Sequence, residues 1–171
     1  MTEAALPRTI PGVVERAARE YASIEALVDE RARITFAQLA DAAVTSARAL
    51  IASGVEAGDR VAIWAPNTTE WVHAALGVYA AGGVIVPLNT RFKGAEAAYI
   101  LDRARTKLLF TATDFLDTNY VELLRAATSD SGVWAARARN PAQSSVSGAG
   151  APRITTICSS EVGSAARRSS T

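Results

Sequence analysis

Side chains able to do chemistry are few in this chain, and their spacing limits what it can do. His73 is the only histidine. A general base needs a group to receive or hold its proton, yet Val72 and Ala74 flank it on a helical stretch and no relay partner is near. A packing or surface role is therefore the reading. Asp59 and Asp102 stand apart from any carboxylate cluster, so they read as a turn charge and a helix-surface charge, and no metal ligands are assigned. Trp64 and Trp71 could stack on an adenine, but both fall in the apolar pattern and read as packing. Asn89 and Arg91 are the best-placed pair. They follow the carboxyl end of an expected parallel strand, where α/β folds bind ligands. They are the candidates for cofactor binding, and no catalytic residue is assigned.

The elements that position these residues alternate between strand and helix. Pro11 suits the first turn of a helix to about Tyr21, with Val13, Val14, Ala17, Ala18 and Tyr21 on one face. Two short extended pieces, Ala26–Val28 and Arg33–Ile34, flank a charged Asp29-Glu30-Arg31 turn and read as a hairpin. Thr35 and Gln38 form a capping box for a helix whose apolar stripe is Phe36, Leu39, Ala40, Ala43, Ala47, Leu50 and Ile51. Gly54 ends that helix in a left-handed conformation.

Val61–Trp64 is a run apolar on both faces, bounded by Gly58-Asp59 and Pro66, as a strand buried on both sides requires. Asn67 is expected to cap the next helix, with Glu70 reaching back. That helix should stop at Gly82-Gly83, and Val84–Val86 should form a parallel neighbour by a right-handed crossover. The unit then repeats as a helix from Gly94 to Arg105, a strand from Lys107 to Thr111, and a helix from Asp114 to about Ala126.

Composition changes abruptly beyond that point. Residues 1–124 hold 12 Lys and Arg against 15 Asp and Glu, whereas residues 125–171 hold six Arg against two acids. The second stretch contains no Leu, Phe, Tyr, Met, Lys or His, and Trp134 is its only aromatic. Such a segment buries too little apolar surface to offset its ordering entropy, so disorder is expected. Its Ser, Ala, Arg and Gly richness also fits translation out of frame from a GC-rich gene. Its arginines are neither interleaved with aromatics nor set on a helix face, so no nucleic-acid partner is expected.

Over all 171 residues the formal net charge is +1, with 49% hydrophobic and 20% charged residues, a soluble globular balance. Cys158 is the only cysteine, so no internal disulfide can form, which suits a reducing cytoplasm. Glu3 and the lack of a basic-then-apolar start argue against a secretory signal. Trp71 to Leu88 is nearly uncharged, but the glycine pair and Pro87 break it into a helix and a strand, and no membrane span is expected.

Four segments occur in a telling order: ITFAQLA (Ile34–Ala40), GDRVAIWAPNTTEW (Gly58–Trp71), AAGGVIVPLNTR (Ala80–Arg91) and EAAYILDRARTKLLFT (Glu96–Thr111). Together they resemble the N-terminal portion of the adenylate-forming enzymes, the superfamily of acyl-CoA synthetases, luciferases and peptide-synthetase adenylation domains. The resemblance runs from about Ile10 to Arg125. Within it, PNTTEW, PLNTRF and ILDRA resemble actinobacterial fatty-acid or ring-acid CoA ligases, including the subgroup acting on steroid-ring remnants.

The fold class this implies is α/β: the N-terminal parallel-sheet subdomain of the adenylate-forming fold, built of βαβ units and incomplete, with a disordered C-terminal tail. The domain division is 1–126 for the AMP-binding part and 127–171 for the tail. An intact relative would use ATP and Mg²⁺ to turn a carboxylic acid into an acyl-adenylate, then pass the acyl group to CoA. Charge gathers on the α-phosphate in the first step and must be met by backbone amides, a cation and the metal ion. The family meets it with a Ser/Thr/Gly-rich loop ending in Pro-Lys, an acidic residue and a lysine on a mobile C-terminal domain. Here Lys93 and Lys107 are the only lysines, and both fall within the scaffold.

SSVSGAGAPR (Ser144–Arg153) resembles that loop but is one residue shorter, lacks the threonines and ends in Arg. No apolar strand precedes it to fix its amides before a phosphate arrives. This chain alone is therefore expected to be inactive and to hold no cofactor of its own. The alternative is a non-catalytic Rossmann-like module that binds a nucleotide or a protein. Either way, a solitary copy of the sheet is expected to expose edges and self-associate.

Overall fold

The chain was analysed as a computed structural model, which describes residues 7–113 and 115–127 and the backbone of strands 144–146 and 154–158. Helix α1 (Ile10–Glu20) starts where expected. Thr9 accepts the Gly12 amide at 3.2 Å, and Pro11 occupies the first turn, where a missing N–H costs nothing. Its apolar face is less covered than the pattern implies, with Val13 and Tyr21 about half exposed.

Strands β1 (Glu25–Val28) and β2 (Arg33–Thr35) form the antiparallel hairpin. Helix α2 (Phe36–Ala52) carries the full capping box, with Gln38 N–H donating to Thr35 Oγ1 and Thr35 N–H to Gln38 Oε1. Leu39, Ala43, Ala47 and Leu50 are buried, but Ile51 is 58% exposed, so the inward stripe stops one residue sooner than the spacing suggests. Gly54 takes φ 83°, the left-handed C-cap that a side chain would resist.

The second sheet holds the rest. Strand β3 (Arg60–Trp64) lies inside it, one strand from an edge, and every side chain from Val61 to Trp64 is fully buried. Helix α3 (Thr69–Ala80) leads to strand β4 (Val84–Pro87), parallel to β3 with Val61 opposite Ile85. Helix α4 (Gly94–Arg103) leads to strand β5 (Leu108–Ala112), parallel to β3 on the other side with Val61 opposite Leu108. Helix α5 (Tyr120–Ala126) follows. Helix α2 packs on α1 and α3, while α4 packs on α5. Helices α3, α4 and α5 and the strands share a core that includes Trp64, Ala75, Leu101, Leu109, Tyr120 and Leu124.

Three expectations are corrected. The cap of α3 is Thr68, whose Oγ1 accepts the Trp71 amide at 3.4 Å, and Asn67 is left exposed one residue before the cap. The last helix is capped by Asn119, whose Oδ1 accepts the Val121 and Glu122 amides; Asp114 lies outside the described residues. The tail was expected to be disordered, yet β6 (Ser144–Val146) and β7 (Ile154–Cys158) extend the sheet to the order β4-β3-β5-β7-β6, with β7 antiparallel to β5. Ile154-Thr155-Thr156-Ile157 is a β-branched run that suits the open side of β5. The other tail residues, and most of the Ser144–Arg153 loop with them, lie outside the described residues.

Candidate functional site

Parallel strands β3 and β4 end side by side, and the chain leaving each bends away to open a cleft of roughly 350 Å³. Ala65, Pro66 and Asn67 line it from the β3 side, and Pro87, Leu88, Asn89 and Thr90 from the β4 side. Trp71 of α3 and Phe115 add aromatic wall. The position is the one a ligand takes at the carboxyl edge of a parallel sheet.

Asn89 is at this rim, as the sequence suggested. Its Oδ1 accepts the Arg91 amide at 2.9 Å, an Asx turn, and its backbone oxygen accepts the Phe92 amide at 3.0 Å. The Arg91 side chain, two residues on, is exposed and makes no hydrogen bond or ion pair among the described residues. Of the two tryptophans, Trp64 is wholly buried, as the packing reading required. Trp71 is only half-buried and faces the cleft.

Sequence reasoning missed the supports of this loop. Trp64 Nε1–H donates to the Asn89 oxygen at 3.0 Å, and Tyr120 O–H donates to the Thr90 oxygen at 3.1 Å. The two rings stack with centroids 4.5 Å apart and planes 24° apart, and burial pushes the Tyr120 phenol above its ordinary pKa. The other wall has a support of its own. Asp29, in the hairpin turn, accepts the Arg31 and Ala32 amides at 2.8 and 2.7 Å through Oδ1. Through Oδ2 it accepts the Thr69 amide at 3.0 Å and the Thr69 hydroxyl at 2.6 Å. These bonds, the Thr69 hydroxyl foremost, hold the Asp29 carboxyl far below the usual carboxylate range. Nothing local marks a turn aspartate as the anchor of a helix 40 residues on.

The remaining candidates lie elsewhere. His73 is half-buried on α3, and its Nε2 has no hydrogen-bond partner among the described residues. Burial lowers its pKa, and Glu70 opposes the shift in part. Asp59 accepts from Lys107 Nζ at 2.6 Å and from the Glu56 amide at 2.8 Å, which lowers its pKa and makes it the turn charge expected. Asp102 lies on α4. Among the described residues no three His, Cys, Asp or Glu side chains gather as a metal site would need. The cleft lining offers two carboxamides and a hydroxyl but no carboxylate, imidazole or ammonium. It can hold and orient a ligand, and it has no group to move a proton or steady a metal.

Fold and cleft together define an α/β framework with a cleft at the carboxyl edge of its parallel strands. A family model for AMP-binding enzymes matches residues 14–160, and the chain belongs to that family. It is 45% identical over 123 residues to a 3-[(3aS,4S,7aS)-7a-methyl-1,5-dioxo-octahydro-1H-inden-4-yl]propanoyl:CoA ligase of Rhodococcus jostii, covering 72% of this chain and 24% of that one. It is 50% identical over 109 residues to the ligase of the same description from Mycobacterium tuberculosis, covering 64% and 22%. The N-terminal domain of FACL13 from Mycobacterium tuberculosis superposes with a TM-score of 0.58 at 31% identity, over 60% of this chain and 27% of that one. The chain thus spans about a quarter of the length of the curated relatives it matches. The family match also crosses the boundary placed at residue 126 and reaches Ser160. No helix among the described residues is long and apolar enough to cross a membrane.

Proposed function

We propose that this chain supplies the N-terminal framework of an ATP-dependent acid–CoA ligase whose acid carries a fused ring on a short carboxylic side chain. The observation behind this reading is the identity of 45 and 50% to two ligases described for one such ring-bearing propanoyl group. In the parent reaction the carboxylate would attack the α-phosphate of ATP and release pyrophosphate. The CoA thiol would then take the acyl group and release AMP. Residues 1–126 would form the framework and 127–171 an appended segment joined to it where β7 pairs with β5, whose out-of-frame origin is tested by reading the coding DNA after the Ala127 codon. With one cysteine, the chain would serve in the reducing cytoplasm.

The framework does not by itself fit Mg²⁺ and the ATP triphosphate. Lys107 is engaged with Asp59, Lys93 precedes the first turn of α4, and the cleft has no carboxylate. No step is therefore assigned to these residues, and the 171-residue chain alone is expected to be inactive. Its contribution is to hold the β3–β4 cleft and Asn89 and Arg91 at the rim. ATP–pyrophosphate exchange on the purified chain, with a panel of fatty and fused-ring acids, checks this. The expected result is no exchange above the protein-free blank, and turnover would overturn it.

A second reading is kept because the cleft is formed. A chain acting as a nucleotide-binding module would take up ATP in calorimetry at micromolar concentrations without exchange, whereas a bare framework would show weaker uptake or none.

A further inference from the structure

We propose that the cleft past the ends of β3 and β4 binds an uncharged ring system whose edge carries hydrogen-bond acceptors, such as ketone oxygens or ring nitrogens. The inference deepens the reading of the cleft above and rests on it. Six of the nine lining residues are apolar or aromatic, and none carries a charge. A carboxylate or phosphate taken from water into such walls would leave its charge unpaired, a cost that a neutral ring escapes. The volume, roughly 350 Å³, is at the small end of ligand sites and leaves room for a fused pair of rings.

The polar groups of the lining set the ligand's edge. Asn89 Oδ1 is taken by the Arg91 amide at 2.9 Å, which fixes the carboxamide and leaves its NH₂ as the free half. The side chains of Asn67, Trp71 and Thr90 make no hydrogen bond among the described residues. Trp64 offers the contrast, because its buried indole N–H donates to the Asn89 oxygen at 3.0 Å. Trp71 is half-buried in the cleft wall, and its indole N–H has no such acceptor among the described residues. The Asn89 NH₂ and the Trp71 N–H can only donate, whereas the Asn67 carboxamide and the Thr90 hydroxyl donate or accept. An edge of acceptors therefore suits all four groups, and a donor-only group such as an ammonium suits two.

Two ligands of the proposed reaction carry such a ring: the fused ring of the acid and the base of the nucleotide. The full 171-residue chain is titrated with each ring in neutral form, as a methyl-substituted hydrindane-1,5-dione and as adenosine. The charged counterparts are the propanoate of the same dione and AMP. Calorimetry gives the affinities. NMR follows the Asn67 and Asn89 side-chain amides and the Trp71 indole, with the Val84 amide, bonded to Asp59 at the opposite end of the sheet, as reference. The expected result is that a neutral ring shifts all three cleft signals and leaves the reference unmoved, and that its charged counterpart binds no more tightly. Binding of the dione alone assigns the ring of the acid, adenosine alone the base, and both together a site open to either. A chain that binds neither, or a charged counterpart that binds more tightly, overturns the proposal.

Asn89→Asp keeps the oxygen that closes the turn and puts a charge where the donating NH₂ was. The neutral ring should then bind roughly tenfold more weakly. Asn67→Asp makes the same exchange on the other wall, at an exposed residue before the cap of α3, and decides the matter if Asn89→Asp does not fold. Unchanged affinity in the variant that folds overturns the proposal. An inactive chain that binds neither ring removes this inference and leaves the framework reading standing, whereas ATP–pyrophosphate exchange by the chain would remove that reading and not this one.

Discussion

At the scale of single residues, two titratable side chains, Asp29 and His73, couple the fold to pH. Asp29 offers the clearest pH signature. In the unfolded chain its pKa would be about 3.9, whereas the bonds to Thr69, Arg31 and Ala32 depress it in the folded state. A depressed carboxyl stabilises the fold above its unfolded value and loses that contribution as the pH falls toward its folded value. Melting temperature should therefore fall as pH drops below about 4, and Asp29→Asn, which cannot be protonated there, should melt lower at neutral pH and flatten that slope. Parallel slopes in thermal melts of the two proteins would refute the assignment. His73 acts with the same sign for a different reason, since burial resists its positive charge. Its neutral form fits the fold, so stability is full above about pH 6.5 and declines as acid protonates it. His73→Leu should remove the part of the decline that sets in below about pH 6.5, read from urea midpoints at each pH. An unchanged decline would place the titrating group elsewhere.

At the scale of elements, most of the architecture was legible because its signals are local. The Thr35–Gln38 capping box, the Gly54 stop and the two-sided apolar run of β3 are each written within a few residues, and each forms as read. The positions of Asn89 and Arg91, just past the carboxyl end of a strand, were legible for the same reason. What holds them was not. Trp64 and Tyr120 look like core aromatics in sequence, and only the packing of α5 against the sheet shows their donors meeting one loop. The cap of α3 was misplaced by one residue because Asn67, Thr68 and Thr69 are all plausible caps, and the choice is made by Asp29 from another element. Gly94, the first residue of α4, extends this contrast between local signal and distant contact. A Cβ there would run into the Leu123 carbonyl and the Ala127 side chain. Alanine favours a helix over glycine by about 1 kcal/mol in a helix interior, and less at a first turn. A clash with backbone commonly costs about 1–3 kcal/mol. Packing should therefore win, and Gly94→Ala should lower the urea midpoint; a rise would show that α5 yields freely.

At the scale of the whole molecule, the open surfaces decide behaviour in solution. The chain spans about a quarter of its relatives' length, and β4 stands at an edge of the sheet. That edge reads Val84-Ile85-Val86-Pro87, with no charge to discourage pairing, and Val84 is 49% exposed. An uncharged edge strand is a template for a second copy. A different apolar surface competes with it: Ile10, Val13 and Ile24 are each about half exposed, on or beside α1. The two can be told apart by where a charge acts. If the edge drives association, Val84→Lys should shift sedimentation of the chain from a concentration-dependent dimer toward monomer, while Ile24→Glu should leave the dimer in place. Pro87 limits the pairing to a few backbone bonds, since it lacks an N–H to donate, so the dimer should be weak and dissociate on dilution. The reverse pattern, with Ile24→Glu dissolving the dimer, would assign association to the helical face, and a wild-type chain that stays monomeric at every concentration would refute both.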